Sequence, residues 1–299
     1  MQNSVNIYEL MAPVFWDMYD DFKANGHSEY WLKGGRASTK SSWISLAILR
    51  GLLVDPMANA LIFRKVGATL MDSVYAQFVW AIGELGLSHL FRLCKSPMEI
   101  IYRPTGQRIM FRGADDPRKS KSIKLSRGYF KFLWFEELTE FQGMEAVRII
   151  KQSVFRGVEH GVTFFSYNPP RSARSWVNEE YLKHTDPAKR YVHHSTYLDV
   201  PPEWLKGSFI EDAEALRQTN ERAWRNEYMG EITGTGGQVF DNLVLREITD
   251  EEIKALGSFY NGLDFGFSND PDALTRWGFS PMKRVLFAVS EFYSSHNLT

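Results

Sequence analysis

Three short segments carry residue types that together could bind and cleave a nucleoside triphosphate. The first, Gly34-Gly35-Arg36-Ala37-Ser38-Thr39-Lys40-Ser41, follows an apolar stretch at 30–33 and opens a helical pattern. In a strand–loop–helix setting, glycines there allow a tight turn in which backbone N–H groups and the helix N terminus face phosphate oxygens. Lys40 places a compact positive charge at the β- and γ-phosphates, and the Ser41 hydroxyl can ligate Mg2+. By itself the segment also fits an ordinary glycine turn before a helix. Thr39 stands at the usual second glycine. Its β-branched side chain resists positive φ, so an αR or β backbone is expected at this position.

The second segment, Phe132-Leu133-Trp134-Phe135-Glu136-Glu137, is an apolar strand ending in two carboxylates. A strand inside a parallel sheet cannot point charge into its core. The pair therefore belongs at the C-terminal edge, where ligands bind in such sheets. Glu136 would hold Mg2+ through water, and Glu137 would orient and deprotonate the attacking water. The alternative is an acidic pair opening a helix, where carboxylates are also favoured. In the third segment, Ser166-Tyr167-Asn168 closes another apolar strand. Asn168 either senses the γ-phosphate or begins the turn before Pro169-Pro170.

The elements that must carry these groups alternate along the chain. Residues 1–28 read as a short helical arm with Tyr8, Phe15, Trp16, Tyr19 and Phe22. Strands are expected at 30–33, 60–65, 129–135 and 161–166, and helices at 41–53, 69–85 and 144–155. A hairpin is expected across 99–112, around Pro104-Thr105-Gly106, and 203–229 reads as helical. This alternation predicts an α/β fold with an open, mostly parallel central sheet. The glycine-rich stretch 230–237 is the clearest linker signal. Beyond it, 259–267 and 285–292 read as strands of a second domain that residue 299 comes too early to complete.

Bulk properties exclude several classes. The 35 Lys+Arg and 36 Asp+Glu nearly cancel, so any nucleic-acid contact must come from a local basic patch. A single cysteine, Cys94, excludes a disulfide framework or a cysteine-rich metal site and fits a reducing compartment. The N-terminal segment, with Glu9, Asp17, Asp20 and Asp21, lacks a signal-peptide pattern. No apolar run approaches membrane-spanning length.

In this order, the three segments resemble the large terminase subunit of tailed phages and prophages, of the PBSX-like kind. Residues 34–42, with Ser42 included, are similar to its Walker A loop. Residues 133–137 are similar to its Walker B strand, where Glu often replaces Asp, as Glu136 does, and 166–170 to its coupling motif. Residues 112–123 resemble the loop before Walker B, 194–201 and 227–231 the end of the ATPase domain, and 262–267 the first nuclease strand.

The resemblance implies a P-loop NTPase of the additional-strand class over 1–229, a linker at 230–257, and the start of an incomplete ribonuclease-H-like domain over 258–299. It implies ATP and Mg2+, with Ser41 and Glu136 at the metal and Glu137 and Asn168 as catalytic and coupling groups. Gly34, Gly35, Ala37, Ser38, Thr39, Lys40 and Ser42 complete the phosphate loop, and Arg36 has a γ-phosphate or coupling role. Asp264 would join other carboxylates around two nuclease metal ions, whereas Asp270 and Asp272 could as easily cap a turn. The implied partners are double-stranded DNA, a portal protein, a small terminase subunit and further copies in a ring, usually of five. The implied place is the host bacterial cytoplasm and, transiently, the portal vertex. The aromatic arm matches the region that flanks the adenine, with Phe15 and Trp16 either there or in the core.

Arg112, Arg118, Lys119, Lys121, Lys124, Arg127 and Lys131 crowd one segment around Asp115 and Asp116. They could grip DNA phosphates, reach a neighbouring subunit's nucleotide, or form a solvated loop. Two other functions stand beside the packaging motor. One is a helicase-like ATPase, against which the Asp264 strand argues. The other is a degenerate prophage fragment that binds DNA or portal without turnover, motivated by Thr39 and the short second domain. The chain as given is expected to hydrolyse ATP but not to cut DNA.

Overall fold

The structure, a computed structural model, describes residues 5–114, 124–183, 187–234, 244, 246–265 and 272–294. The chain divides into two compact units, Met1–Val239 and Phe240–Thr299.

Eight strands of the first unit form one sheet: β1 (Glu29–Gly34), β2 (Ala58–Arg64), β3 (Phe91–Lys95), β4 (Met98–Tyr102), β5 (Gln107–Gly113), β6 (Tyr129–Glu136), β7 (Val162–Tyr167) and β8 (Arg190–Ser195). Their spatial order is β3-β4-β5-β2-β6-β7-β1-β8. From β5 to β8 every neighbouring pair is parallel, and β4 and β3 extend the sheet antiparallel, with β4–β5 forming the expected hairpin. β7 lies between β1 and β6, which is the additional-strand arrangement. Because these strands are parallel, the ends of β1, β6 and β7 open on one edge of the sheet.

The continuous apolar runs arise because both faces are covered. In β6, Phe132 and Trp134 enter one core cluster while Leu133 and Phe135 enter the other; β2 divides Ala60 and Ile62 from Leu61 and Phe63 in the same way. The first cluster is closed by α1 (Trp16–Lys23), α2 (Lys40–Val54) and α3 (Ala76–Glu84), which contribute Phe22, Trp43 and Phe78. The second is closed by α4 (Met144–Val154) and α5 (Trp176–Leu182), through Val147, Ile150 and Val177.

Three expected helices are built differently. The stretch read as one helix over 69–85 is a 3-10 turn at Gly67–Thr69, a π turn at Met71–Tyr75 and then α3. Tyr75 N donates to Leu70 O at 3.0 Å, and Ser73 Oγ donates to Thr69 O at 2.8 Å, so a side-chain bond competes with the backbone ladder where the winding loosens. Leu70, Val74 and Phe78 stay buried. The stretch 203–229 contains α6 (Gly207–Thr219) and α7 (Glu221–Glu227), separated at Asn220. The Asn220 side chain accepts from Ala223 N at 3.0 Å and caps the second helix. In the N-terminal arm only α1 is α-helical, behind 3-10 turns at Ile7–Leu10 and Pro13–Phe15. β3 and β8, both edge strands of mostly exposed or half-buried residues, lack the apolar runs that announce a strand.

The second unit holds α8 (Asp250–Lys254) and an antiparallel sheet of β9 (Phe259–Asp264), β10 (Asp272–Ser280) and β11 (Val285–Ser294), in the order β11-β10-β9. Of the strand expected at 259–267, residues 266 and 267 lie outside the described residues.

Gly51 of α2 lies against β6 so closely that a Cβ there would overlap the Phe132 ring, which is itself 1% exposed. Gly51→Val should destabilise the protein by about 1–3 kcal/mol through overpacking. The expected readout is a lower Tm with an unchanged far-UV circular dichroism spectrum. An unaltered Tm would contradict this helix–sheet contact.

Candidate nucleotide-binding site

β1 ends at Gly34, and the chain turns into α2 at Lys40. Two residues of that turn are left-handed without being glycine: Ala37, at φ +55°, and Thr39, at φ +58° and ψ +18°. The αR or β backbone expected at Thr39 is therefore corrected. The loop makes the turn a glycine would make, and the threonine carries strain of about 1–3 kcal/mol. Its Oγ1 is buried and makes no hydrogen bond among the described residues.

Packing behind the loop enforces this path. A Cβ on Gly34 would run into Ser195 O, and one on Gly35 into Tyr228 O. Gly35 N donates to Ser195 O at 3.1 Å and Arg36 N to Glu227 O at 2.9 Å, while His194 Nε2 donates to Met229 O at 2.7 Å. Gly230, at φ +63°, abuts the Gly34 carbonyl. Residues 230–234 continue within the first unit, where Gly234 N donates to Arg171 O at 2.7 Å.

Lys40 is buried. Its Nζ donates to Gly35 O at 3.0 Å, to Ser38 Oγ at 2.7 Å and to Asn168 Oδ1 at 3.0 Å. Burial pushes its ammonium down to about 8, against the pull of Glu137 and Glu136. Asn168, just past β7, thus reaches the loop lysine across the neighbouring strand.

Glu136, at the end of β6, is also buried. Its Oε1 accepts from Ser41 Oγ at 3.4 Å. Its Oε2 has no hydrogen-bond partner among the described residues, with Arg64 Nη1 at 3.9 Å. Burial and then the Glu137 carboxylate push Glu136 up to about 7, with Arg64 opposing. Glu137 sits in a left-handed turn, at φ +50° and ψ +57°. Burial raises its carboxyl, against Arg64 and Lys40.

A cavity of about 420 Å³ is lined by the loop from Gly35 to Ser42 together with Glu136, Glu137 and Asn168. A buried cation at a helix N terminus suits phosphate oxygens, and the Ser41 hydroxyl beside an unsatisfied carboxylate oxygen suits a hard cation that takes oxygen ligands. Arg36 stands at the rim, with Nη2 3.4 Å from Glu227 Oε2.

Other expected residues lie elsewhere. Phe15 is wholly buried and packs on Trp43 and His193, so it is core. Trp16 is exposed and donates from Nε1 to Tyr8 O at 3.2 Å. Asp264 is an exposed residue of β9 in the second unit, Asp272 is buried at the start of β10, and Asp270 lies outside the described residues. Among the described residues, no three His, Cys, Asp or Glu side chains gather as metal ligands.

In the basic segment, Lys131 Nζ donates to Asp55 Oδ2 at 2.9 Å, and Arg112 Nη1 donates to Phe111 O at 2.7 Å. Arg127 Nη1 donates to Thr105 O at 3.2 Å. Arg112 is thus bonded to a carbonyl of its own strand and Lys131 to the turn after α2. Arg118, Lys119 and Lys121, with Asp115 and Asp116, lie outside the described residues.

Sequence reasoning missed Arg64 and Gln77. Arg64 ends the apolar run of β2, and the edge argument that placed Glu136 applies to it equally. Gln77 donates from Nε2 to Ser42 Oγ at 3.2 Å; no local signal marks it, since the π turn resets which side chains face α2.

A family model for the phage terminase large subunit matches residues 27–231. The terminase large subunit of Bacillus phage SPP1 is 40% identical over 294 residues, which cover 96% of this chain and 69% of that relative. The chain belongs to the phage terminase large subunit family. The PBSX phage terminase large subunit of Bacillus subtilis (strain 168) is 27% identical over 301 residues, covering 93% of this chain and 67% of that protein. The large terminase from a thermophilic bacteriophage has the same fold at a TM-score of 0.60 and 15% identity, over 95% of this chain and 68% of that one. The large terminase ATPase domain of Thermus phage P74-26 matches at a TM-score of 0.50 and 18% identity, over 69% of this chain and 89% of that domain.

The geometry of this terminase site makes its stability depend on pH and on one strained residue. Glu136 titrates at about 7 in the folded protein instead of the ordinary 4.5, so between those values the native state binds more protons than the unfolded state. Stability must then fall as pH rises through that window. The Tm advantage of Glu136→Gln over the parent, without nucleotide or metal, should grow from pH 5 to pH 8; a pH-independent difference would contradict the buried, raised carboxyl. Thr39→Gly should raise Tm, because relief of about 1–3 kcal/mol of strain exceeds the roughly 0.4–1 kcal/mol of unfolded-state entropy that glycine adds.

Proposed function

We propose that this chain is the ATP-hydrolysing motor that drives double-stranded viral DNA into a procapsid. The observation that carries this reading is the convergence of Lys40, Glu136, Glu137 and Asn168 on one cavity. The large terminase of the same thermophilic bacteriophage in complex with ADP, at a TM-score of 0.58 and 15% identity, and in complex with ATP-gamma-S, at 0.57 and 13%, supports a nucleotide in this chain too.

Lys40 exchanges its protein acceptors for β- and γ-phosphate oxygens. That exchange frees Asn168, and loss of the γ-phosphate returns the lysine to it, which makes Asn168 the sensor that couples hydrolysis to movement. Ser41 and Glu136 would hold Mg2+, which would neutralise phosphate charge. Glu137, whose carboxyl is raised by burial, orients the attacking water and takes its proton. Arg36, now engaged by Glu227, serves the γ-phosphate or the coupling. The left-handed Thr39 keeps the phosphate-loop shape and favours turnover over a degenerate, merely binding fragment.

The proposed division is a motor over 1–229, a linker over 230–257 and the beginning of a ribonuclease-H-like nuclease over 258–299. The antiparallel β9–β10–β11 sheet supports the last part, with Asp264 as a metal ligand in the cutting of concatemeric DNA. The proposed partners are DNA, the portal protein, the small terminase subunit and sister copies in a five-membered ring. The proposed place is the host bacterial cytoplasm and, during packaging, the portal vertex.

Steady-state ATP hydrolysis with and without linear duplex DNA tests the motor. The parent should hydrolyse ATP, and DNA should stimulate it. Lys40→Ala should abolish hydrolysis, since no nearby group replaces its charge. Glu137→Gln should bind ATP yet lose roughly two to four orders of magnitude in rate, and Glu136→Gln should shift the Mg2+ dependence. Parental turnover in Lys40→Ala would sink the assignment.

A further inference from the structure

We propose that Trp204 is the stacking platform for the base of the nucleotide, so that the motor takes purine nucleoside triphosphates and reads the base by its ring face. This rests on the nucleotide reading of the cavity and adds the location and chemistry of its base end.

The sheet order supplies the direction. β1 lies between β7 and β8. Asn168 follows β7, and Glu136 and Glu137 come from the end of β6, one strand further on the same side. The metal and γ-phosphate end of a bound triphosphate therefore lies toward β7 and β6. The nucleoside extends to the opposite side of the loop, where β8 ends. The turn after β8 brings Trp204 and Leu205 to the same cavity as Lys40.

This turn is built to hold a ring in place. Pro201 and Pro202 fix their own φ, and Pro202–Trp204 is a 3-10 turn. Trp204 N donates to Pro201 O at 3.0 Å and Leu205 N to Pro202 O at 3.1 Å. Leu205 packs against both the core under α2 and the small cluster of Tyr197, Ala213, Trp224 and Tyr228. Trp204, beside this anchor, is 42% exposed, so a large aromatic surface borders a cavity whose other walls are mostly polar. Of the two arm residues matched to the adenine region, Phe15 is sealed in the core, and Trp16, though exposed, is not among the residues that line the cavity. Stacking on an indole uses the π-face that every base has, and larger rings gain more. Purine triphosphates should bind better than pyrimidine ones, with ATP and GTP close together.

The test measures KM and kcat for ATP, GTP and CTP, and calorimetric binding of ATP and inorganic tripolyphosphate, in the parent, Trp204→Ala and Trp204→Phe. Trp204→Ala should raise KM for ATP on the order of tenfold with kcat little changed, leave tripolyphosphate affinity as in the parent, and erase the preference for ATP over CTP. Trp204→Phe should restore most of the ATP affinity, which a fold defect would not allow. An unchanged KM in Trp204→Ala, or equal weakening of ATP and tripolyphosphate, would overturn the stacking role while leaving the phosphate site intact. A parent that binds neither ligand would overturn the nucleotide reading and this inference with it.

Discussion

The site depends on an ammonium group that burial disfavours and that nearby oxygens must satisfy. Lys40 is withdrawn from water, and its charge is held by a loop carbonyl, a loop hydroxyl and the Asn168 amide oxygen. Burying a charge without such partners costs several kcal/mol. The loop must therefore close around the lysine, and β7 must deliver Asn168 to the correct place. These three contacts leave the ammonium with no unmet need for a partner inside the protein.

The phosphate loop is clamped from behind as firmly as it is organised in front. Gly34 and Gly35 leave no room for side chains against Ser195 and Tyr228, and Gly230 abuts the Gly34 carbonyl. Backbone bonds from Gly35 and Arg36 fix that contact. A displacement of the loop must push on β8 and on the end of α7, because close-packed backbone has no slack to absorb it. The pair Arg36–Glu227 joins the exposed side of the loop to the same segment. The phosphate loop and the close of the first unit thus form one mechanical piece.

The carboxylates illustrate how position alone can differentiate like groups. Glu136 is the last residue of a strand covered on both faces, and burial pushes its acid up to about 7. Glu137 follows in a left-handed turn that carries its side chain away from the strand's alternation while keeping it on the same cavity. Arg64, from the end of the neighbouring β2, restrains both titrations. Two adjacent residues of one type therefore meet different surroundings.

The strand runs of β1, β2, β6 and β7, the helices α2 and α4, and the polar groups at strand ends are legible in the amino-acid order. Those features are local: a strand buried on both faces must be apolar until it leaves the core, so the first charged residues after the run mark the edge. The loop glycines and Lys40 are equally plain there. Long-range packing settled the rest. Sheet order stands β7 between the loop strand and β6, which puts Asn168 against Lys40 from 128 residues away in sequence. Thr39 takes a left-handed backbone that its own side chain disfavours, in a loop whose Gly34 and Gly35 pack on Ser195 and Tyr228. Tertiary packing paired Lys131 with Asp55 of the turn after α2, and a π turn with no composition signal aimed Gln77 at Ser42. Propensity and periodicity act over a few residues, whereas sheet order and close backbone contact are set by the whole core, and the assembly of this site depends on the latter.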